Sequence, residues 1–157
     1  SLFVYRDEVR DLIHAYKFKR RYALSLFFAA NIHAEWMRRY APATIIPVPP
    51  RGDRFWPFKA RDHVERIAAR LHRDYQVPIA RFLSRSQGVS QQTLDYEGRL
   101  SNLKGKFLLR DNDLVLSGRE YVLLDDVFTT GATLSECADV LLAAGARNVF
   151  GLTIAID

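Results

Sequence analysis

Cysteine is almost absent from this chain of 157 residues, where Cys137 stands alone. An internal disulfide and a thiolate-rich zinc site are thereby excluded, and a reducing compartment is the natural setting. Long apolar runs are lacking too. The longest, near 23–30 and 140–144, fall well short of the roughly 20 residues that a membrane span needs. No basic segment leads into an apolar stretch with a small-residue cleavage site, so no secretory signal is expected and the cytoplasm is the expected location. Glycine and proline number only 8 and 6, against 48% hydrophobic residues, which excludes disorder as the dominant state. The apolar content that is present suits one domain with a core of ordinary size.

Charge is unevenly spread. Residues 1–110 carry 21 Lys and Arg against 10 Asp and Glu, whereas 111–157 carry 2 against 8. A basic majority points to an anionic partner, either nucleic acid or a phosphorylated small molecule, although arginines on solvated helix faces produce the same balance.

Val9, Leu12, Ile13 and Tyr16 recur at the helical interval, as do Ala23, Leu26, Phe27, Ala30 and Met37. The spacing predicts amphipathic helices near 7–18 and 22–39. Thr44 to Val48 is short, β-branched and followed by Pro49 and Pro50, as a buried strand should be. A helix near 61–75, a strand over 79–83 and a strand over 106–109 are expected next. The polar stretch 84–102 shows no sustained period, and loops of that length in a compact domain are usually functional or mobile. Tyr121 to Leu124 then forms an apolar run, 125–130 reads as a polar turn, and a helix over 134–144 ends at Gly145. A strand over 149–156 closes a βαβ unit, so a parallel α/β sheet is expected.

The chemistry is concentrated in that unit. Asp125 and Asp126 follow a buried strand, where ligands of open α/β sheets sit. Adjacent carboxylates there can accept hydrogen bonds from the vicinal hydroxyls of a ribose. Beyond them Thr129, Thr130, Gly131 and Thr133 make a hydroxyl-rich turn that opens a helix, and the unsatisfied N–H groups of a helix start bind phosphate. Acidic pairs also follow strands in phosphoacceptor and metal sites, and Thr-Thr-Gly alone serves as a helix cap. Hydroxyl acceptors followed by a phosphate cradle, in that order, match a 5-phosphorylated ribose. A phosphoacceptor receiver would need a lysine late in the chain, and none follows Lys106.

Residues 122–133 resemble the signature of the type I phosphoribosyltransferases, enzymes that use phosphoribosyl pyrophosphate (PRPP) and magnesium. Other positions are similar to the ComF-type competence family within that group. They are Arg85, Gln91-Gln92-Thr93-Leu94, Arg99, Asn102 and Phe107 at matching separations, Ile46-Pro47-Val48-Pro49 as the first strand, and Tyr16-Lys17-Phe18-Lys19 as a basic N-terminal segment. Two stretches depart from the family pattern. Lys59-Ala60-Arg61-Asp62-His63 stands where an Arg-Gly-Phe-Asn-Gln block is usual, and the four-cysteine zinc module that often begins such proteins is absent from this sequence.

The resemblance implies one α/β domain over 1–157 of the type I phosphoribosyltransferase fold, a mostly parallel sheet flanked by helices. An N-terminal helical segment (1–40) would precede the core (41–157), and a flexible hood loop would cover the site. It implies transfer of phosphoribose from PRPP to a nitrogen acceptor, a base or an amine, with release of pyrophosphate. Asp125 and Asp126 would hold the ribose hydroxyls and meet magnesium directly or through water. Val127, Phe128, Thr129, Thr130, Gly131, Ala132 and Thr133 would line the PRPP loop, and Pro50 and Arg51 would face the pyrophosphate, with Arg51 as its cation. Arg85, Gln91, Arg99 and Asn102 would belong to the hood. Phe55-Trp56-Pro57-Phe58 could stack a base, although such aromatics are more often core; His63 could act as a general base, although a histidine on a surface helix is the commoner case; and Cys137 on the apolar side of its helix is packing. A non-catalytic PRPP- or nucleotide-binding role, or handling of single-stranded DNA in competence, is the alternative that the same resemblance implies. A second copy of the chain is a further candidate partner.

Overall fold

A computed structural model describes residues 1–19, 21–50, 63–85, 106–111 and 113–157. Along the chain run β1 (Phe3–Val4), α1 (Asp7–Phe18), α2 (Leu24–Arg39), β2 (Thr44–Pro47), α3 (His63–Tyr75), β3 (Leu83–Arg85), β4 (Phe107–Leu109), β5 (Glu120–Phe128), α4 (Ala132–Ala143) and β6 (Asn148–Ile156). Four strands form one sheet in the order β1-β6-β5-β2, and every pairing in it is parallel. β3 and β4 pair antiparallel as a separate ribbon.

β5 is central and buried on both sides, which is why Tyr121 to Leu124 reads as an unbroken apolar run rather than an alternating one. Successive side chains of a strand point to opposite faces, so that run feeds two cores. Val122 and Leu124 join Ile45, Leu152 and Ile154 under α1, α2 and α3, where Ile13, Tyr16, Phe28, Ile32, Ile67 and Leu71 pack. Tyr121 and Leu123 join Ile46, Phe107, Cys137 and Leu141 on the other side, under α4 and the β3–β4 ribbon. Each fully buried aliphatic side chain there stabilises the fold by about 1.5–3 kcal/mol relative to leaving it in water. Polar tethers tie the helical layer down. The Trp36 indole N–H donates to the Ala43 carbonyl at 2.8 Å, and the Tyr16 hydroxyl donates to the His63 carbonyl at 2.8 Å.

Four sequence expectations are corrected. The strand placed at 79–83 is a single parallel bridge between Ile79 and Ile45; the chain then leaves the sheet, and Leu83–Arg85 pairs with Phe107–Leu109 instead. β5 does not end at Leu124 but continues through Asp125 and Asp126 to Phe128, because β6 matches it residue for residue up to Ile156. α2 buries Ser25, Phe28, Ala29, Ile32 and Trp36, not the row Leu26, Phe27, Ala30 and Met37, which is exposed. Apolar residues lie on both sides of that helix, so their spacing carries no unique phase. The helix of 134–144 begins two residues earlier, at Ala132. Gly145 does end it, at φ +96°, with its N–H donating to the Leu142 carbonyl at 3.0 Å. Among the described residues no helix is long and apolar enough to cross a membrane.

Candidate functional site

The parallel ladder brings two chain segments together at the carboxyl end of the sheet. The Val48 N–H donates to the Leu124 carbonyl at 2.9 Å, which carries Pro49 and Pro50 alongside the start of the Asp125–Asp126 pair. β6 seals the other flank, where the Asp157 N–H donates to the Phe128 carbonyl at 2.9 Å.

Because β5 remains extended through Phe128, Asp125 and Asp126 are not side by side on a turn. Alternation sends them to opposite faces of the strand end. Asp126 meets the α1 layer, where its Oδ2 lies 2.5 Å from Lys17 Nζ. Asp125 falls on the α4 side, where its charge is felt by Cys137. Asp125 Oδ1 also accepts the Asp126 backbone N–H at 2.8 Å, so one oxygen of the first acid orients the backbone of the second.

The turn that follows leads from β5 into α4 through Gly131. Thr129 and Thr130 are exposed. Gly131 adopts φ +76° as the residue that caps α4, with no side-chain cap of its own. Thr130 Oγ1 accepts the Ala132 N–H at 3.4 Å, a long contact, and the Ser135 N–H turns back to the Gly131 carbonyl at 2.9 Å to start the helix. The N–H groups of the first turn point out of the helix end, where the dipole is positive. A Cβ at Gly131 would stand 2.9 Å from Phe128 Cζ and 3.0 Å from Cε2, so the Phe128 ring occupies the space a larger residue would need. An open cavity of about 730 Å³ runs from this turn between α4 and β6, lined by Thr130, Gly131, Leu134, Ala138, Gly151 and Thr153 among others. Asp125 and Asp126 are not in its lining, so the acids and this hollow meet only at the turn.

Of the hood residues, Arg85 is described: it closes β3 opposite Phe107, with its guanidinium carbon 4.9 Å from the Phe107 ring centroid. Arg51, Gln91, Arg99, Asn102 and the Phe55–Phe58 aromatics lie outside the described residues, as do Lys59–Asp62 of the divergent block. His63 opens α3 and its ring meets Tyr16 edge-on, with centroids 5.2 Å apart, within the layer opposite α4. Lys17 is the residue that the sequence reading left out of the site. The signal was its place in the basic run Lys17–Arg21, which says nothing about which carboxylate it would reach.

Cys137 is fully buried on α4. Burial, then the charges of Asp125 and Glu136, push its thiol up to about 12, against an opposing pull from Arg85. The thiolate is the nucleophile, so this side chain is inert near neutrality. A disulfide reagent at pH 8 is expected to leave Cys137 unmodified in the native chain and to modify it fully in guanidinium; fast native labelling would contradict its burial.

The donor set at the strand end consists of hard carboxylate oxygens, and among the described residues no group of three or more His, Cys, Asp and Glu could hold a metal. A magnesium ion held at this strand end would sit mainly on a ligand's phosphates, with Asp125 or Asp126 offering it a carboxylate oxygen or a water bridge.

No family model matches the chain. A DNA utilization protein YhgH of Shigella flexneri is 32% identical over 155 residues, covering 92% of this chain and 66% of the relative. Competence protein F of Haemophilus influenzae is 27% identical over 153 residues, with the same coverage of 92% and 66%. The chain thus spans just under two thirds of the length of these relatives. Among solved structures, a hypoxanthine-guanine phosphoribosyltransferase from Bacillus anthracis superposes with a TM-score of 0.51 at 16% identity, covering 87% of this chain and 71% of that one. At that identity the likeness is one of fold.

Proposed function

The chain belongs to the ComF-type competence family and carries the type I phosphoribosyltransferase fold, and from that premise we propose that it binds PRPP with magnesium and transfers phosphoribose to a nitrogen acceptor, releasing pyrophosphate. The observation that carries the reading is the sequence of groups at the end of β5: Asp125 and Asp126, then Thr129, Thr130 and a left-handed Gly131 opening α4. Ribose hydroxyls would donate to the two carboxylates, reached from either side of the strand end. The 5-phosphate would sit on the first N–H groups of α4 with the threonine hydroxyls, where Gly131 allows close approach. Pro50 and Arg51 would face the pyrophosphate across the sheet end, and Arg85, with Gln91, Arg99 and Asn102 of the hood, would close over it.

A bond to an anomeric carbon breaks through an oxocarbenium-like state, as in glycoside hydrolysis. No covalent protein nucleophile is then required, and the inert Cys137 is consistent with that. The chain's own work is to hold the sugar, neutralise the departing charge and keep water out. Magnesium, when bound, supplies charge neutralisation on the phosphates. Titration with PRPP and magnesium is expected to show saturable one-to-one binding, and a screen of bases and amines should find one that provokes pyrophosphate release. Absence of PRPP binding with and without magnesium would sink the proposal.

A second reading has its own support in the relatives named for competence and DNA utilization and in the basic balance of residues 1–110. On it, the same site binds PRPP or a nucleotide without turnover while the chain handles single-stranded DNA. Acceptor-dependent pyrophosphate release separates the two, and a DNA affinity that falls steeply with salt would mark contacts to the phosphate backbone.

A further inference from the structure

The N-terminal helical layer does more than cover one face of the sheet. It reaches the acid pair. Lys17 and Asp126 pair at 2.5 Å with about a fifth and a quarter of their side chains exposed (21% and 25%), and they are far apart in the chain. The lysine's place is well determined by its neighbours. Tyr16, the preceding residue, is 1% exposed and tied by its hydroxyl to the carbonyl of His63. The end of α1 is closed by Lys19 and Arg21, whose N–H groups both turn back to the Ala15 carbonyl. Lys17 is also the basic residue in the last turn of α1, where the helix dipole favours a cation.

We propose that Lys17 is a positioning residue of the sugar-phosphate site, an assignment that rests on the PRPP reading above. Its ammonium engages Oδ2 of Asp126 and leaves Oδ1 for a ribose hydroxyl. It cancels one of the two negative charges that a phosphorylated sugar must approach. It also disfavours a divalent cation on Asp126 in the free chain, since an ammonium 2.5 Å from Oδ2 lies close enough to either oxygen of that carboxylate to repel a second cation there. The metal then enters with the ligand's phosphates rather than before them. Without the lysine, Asp126 would present an uncompensated carboxylate that attracts the cation on its own.

Two arms test this, with PRPP and with manganese as a paramagnetic stand-in for magnesium. The wild-type chain should hold Mn²⁺ only when PRPP is present, as read by electron paramagnetic resonance. Lys17→Met should bind PRPP about tenfold or more weakly, the loss of one charge-assisted contact, and should hold Mn²⁺ in the absence of PRPP. Lys17→Arg, which restores the cation, should return both readouts toward wild type and guards against a folding defect in the methionine variant, checked by thermal unfolding. A folded Lys17→Met chain with wild-type PRPP affinity, or with no gain in Mn²⁺ binding, overturns the assignment while leaving the PRPP reading intact. A wild-type chain that fails to bind PRPP overturns that reading instead, and the Mn²⁺ arm alone then decides the role of Lys17.

Discussion

Replacing Gly131 by valine is expected to abolish PRPP binding and to cost the fold about 1–3 kcal/mol. The residue sits at φ +76°, in the left-handed region where a β-branched side chain is a genuine outlier. Its Cβ would also press on the Phe128 ring at 2.9 Å. Relief by moving that ring is open to the chain, since Phe128 is only half-buried, but the ring and the turn move together. The branched methyls would then stand over the N–H groups that the phosphate is proposed to use. Alanine at the same position bears the backbone penalty without the branch, so its affinity should fall between wild type and valine. Calorimetric titration with PRPP, alongside thermal unfolding of the free chain, checks both halves. A valine variant with wild-type affinity would remove the phosphate from this turn.

Much of the fold was legible because burial imposes periodicity. β5 and the helices α1, α3 and α4 emerged from apolar spacing that packing enforces. Where the reading failed, the controlling force left no pattern in side-chain polarity. Asp125 and Asp126 look like the start of a turn, yet β5 runs on because the backbone ladder with β6 is indifferent to what the side chains are. β1, two residues paired to Ala155 and Ile156, is too short to carry any period. In α2 the apolar residues encircle the helix, and the choice between its faces was settled by α3 and the sheet, through Phe28, Ile32 and Trp36.

The site was legible in a different way. The order acid, acid, hydroxyl, hydroxyl, glycine is local, and the structure assembles it at one strand end followed by one helix start. What sequence order could not reveal was the third dimension of that end. Strand alternation splits the acids between the α1 and α4 layers, and Lys17 arrives at one of them from the far end of the chain. Long-range ion pairs depend on which helix packs where, and nothing in the basic run distinguishes Lys17, which turns inward, from Lys19 and Arg21, which face water.

That split gives the two acids separable consequences. Asp125→Asn is expected to weaken PRPP binding about 10- to 100-fold, the range for losing a hydrogen bond to a charged group worth about 1.5–3 kcal/mol. The unfolding temperature of the free chain should stay put. An asparagine keeps an oxygen for the Asp126 N–H that Asp125 now accepts at 2.8 Å, and the side chain is only partly buried. The same exchange at Asp126 should weaken binding comparably but also release Lys17, so, like the wild type and unlike Lys17→Met, it should hold no Mn²⁺ without PRPP: a single remaining acid beside an unpaired ammonium attracts the ion least of all. Titrating both variants with PRPP, with thermal unfolding as the control, distinguishes a pair that grips a sugar from a pair that merely caps a strand. If Asp125→Asn binds PRPP as the parent does and remains folded, the acid on the α4 side has no part in holding ribose, and the proposed geometry fails at its first residue.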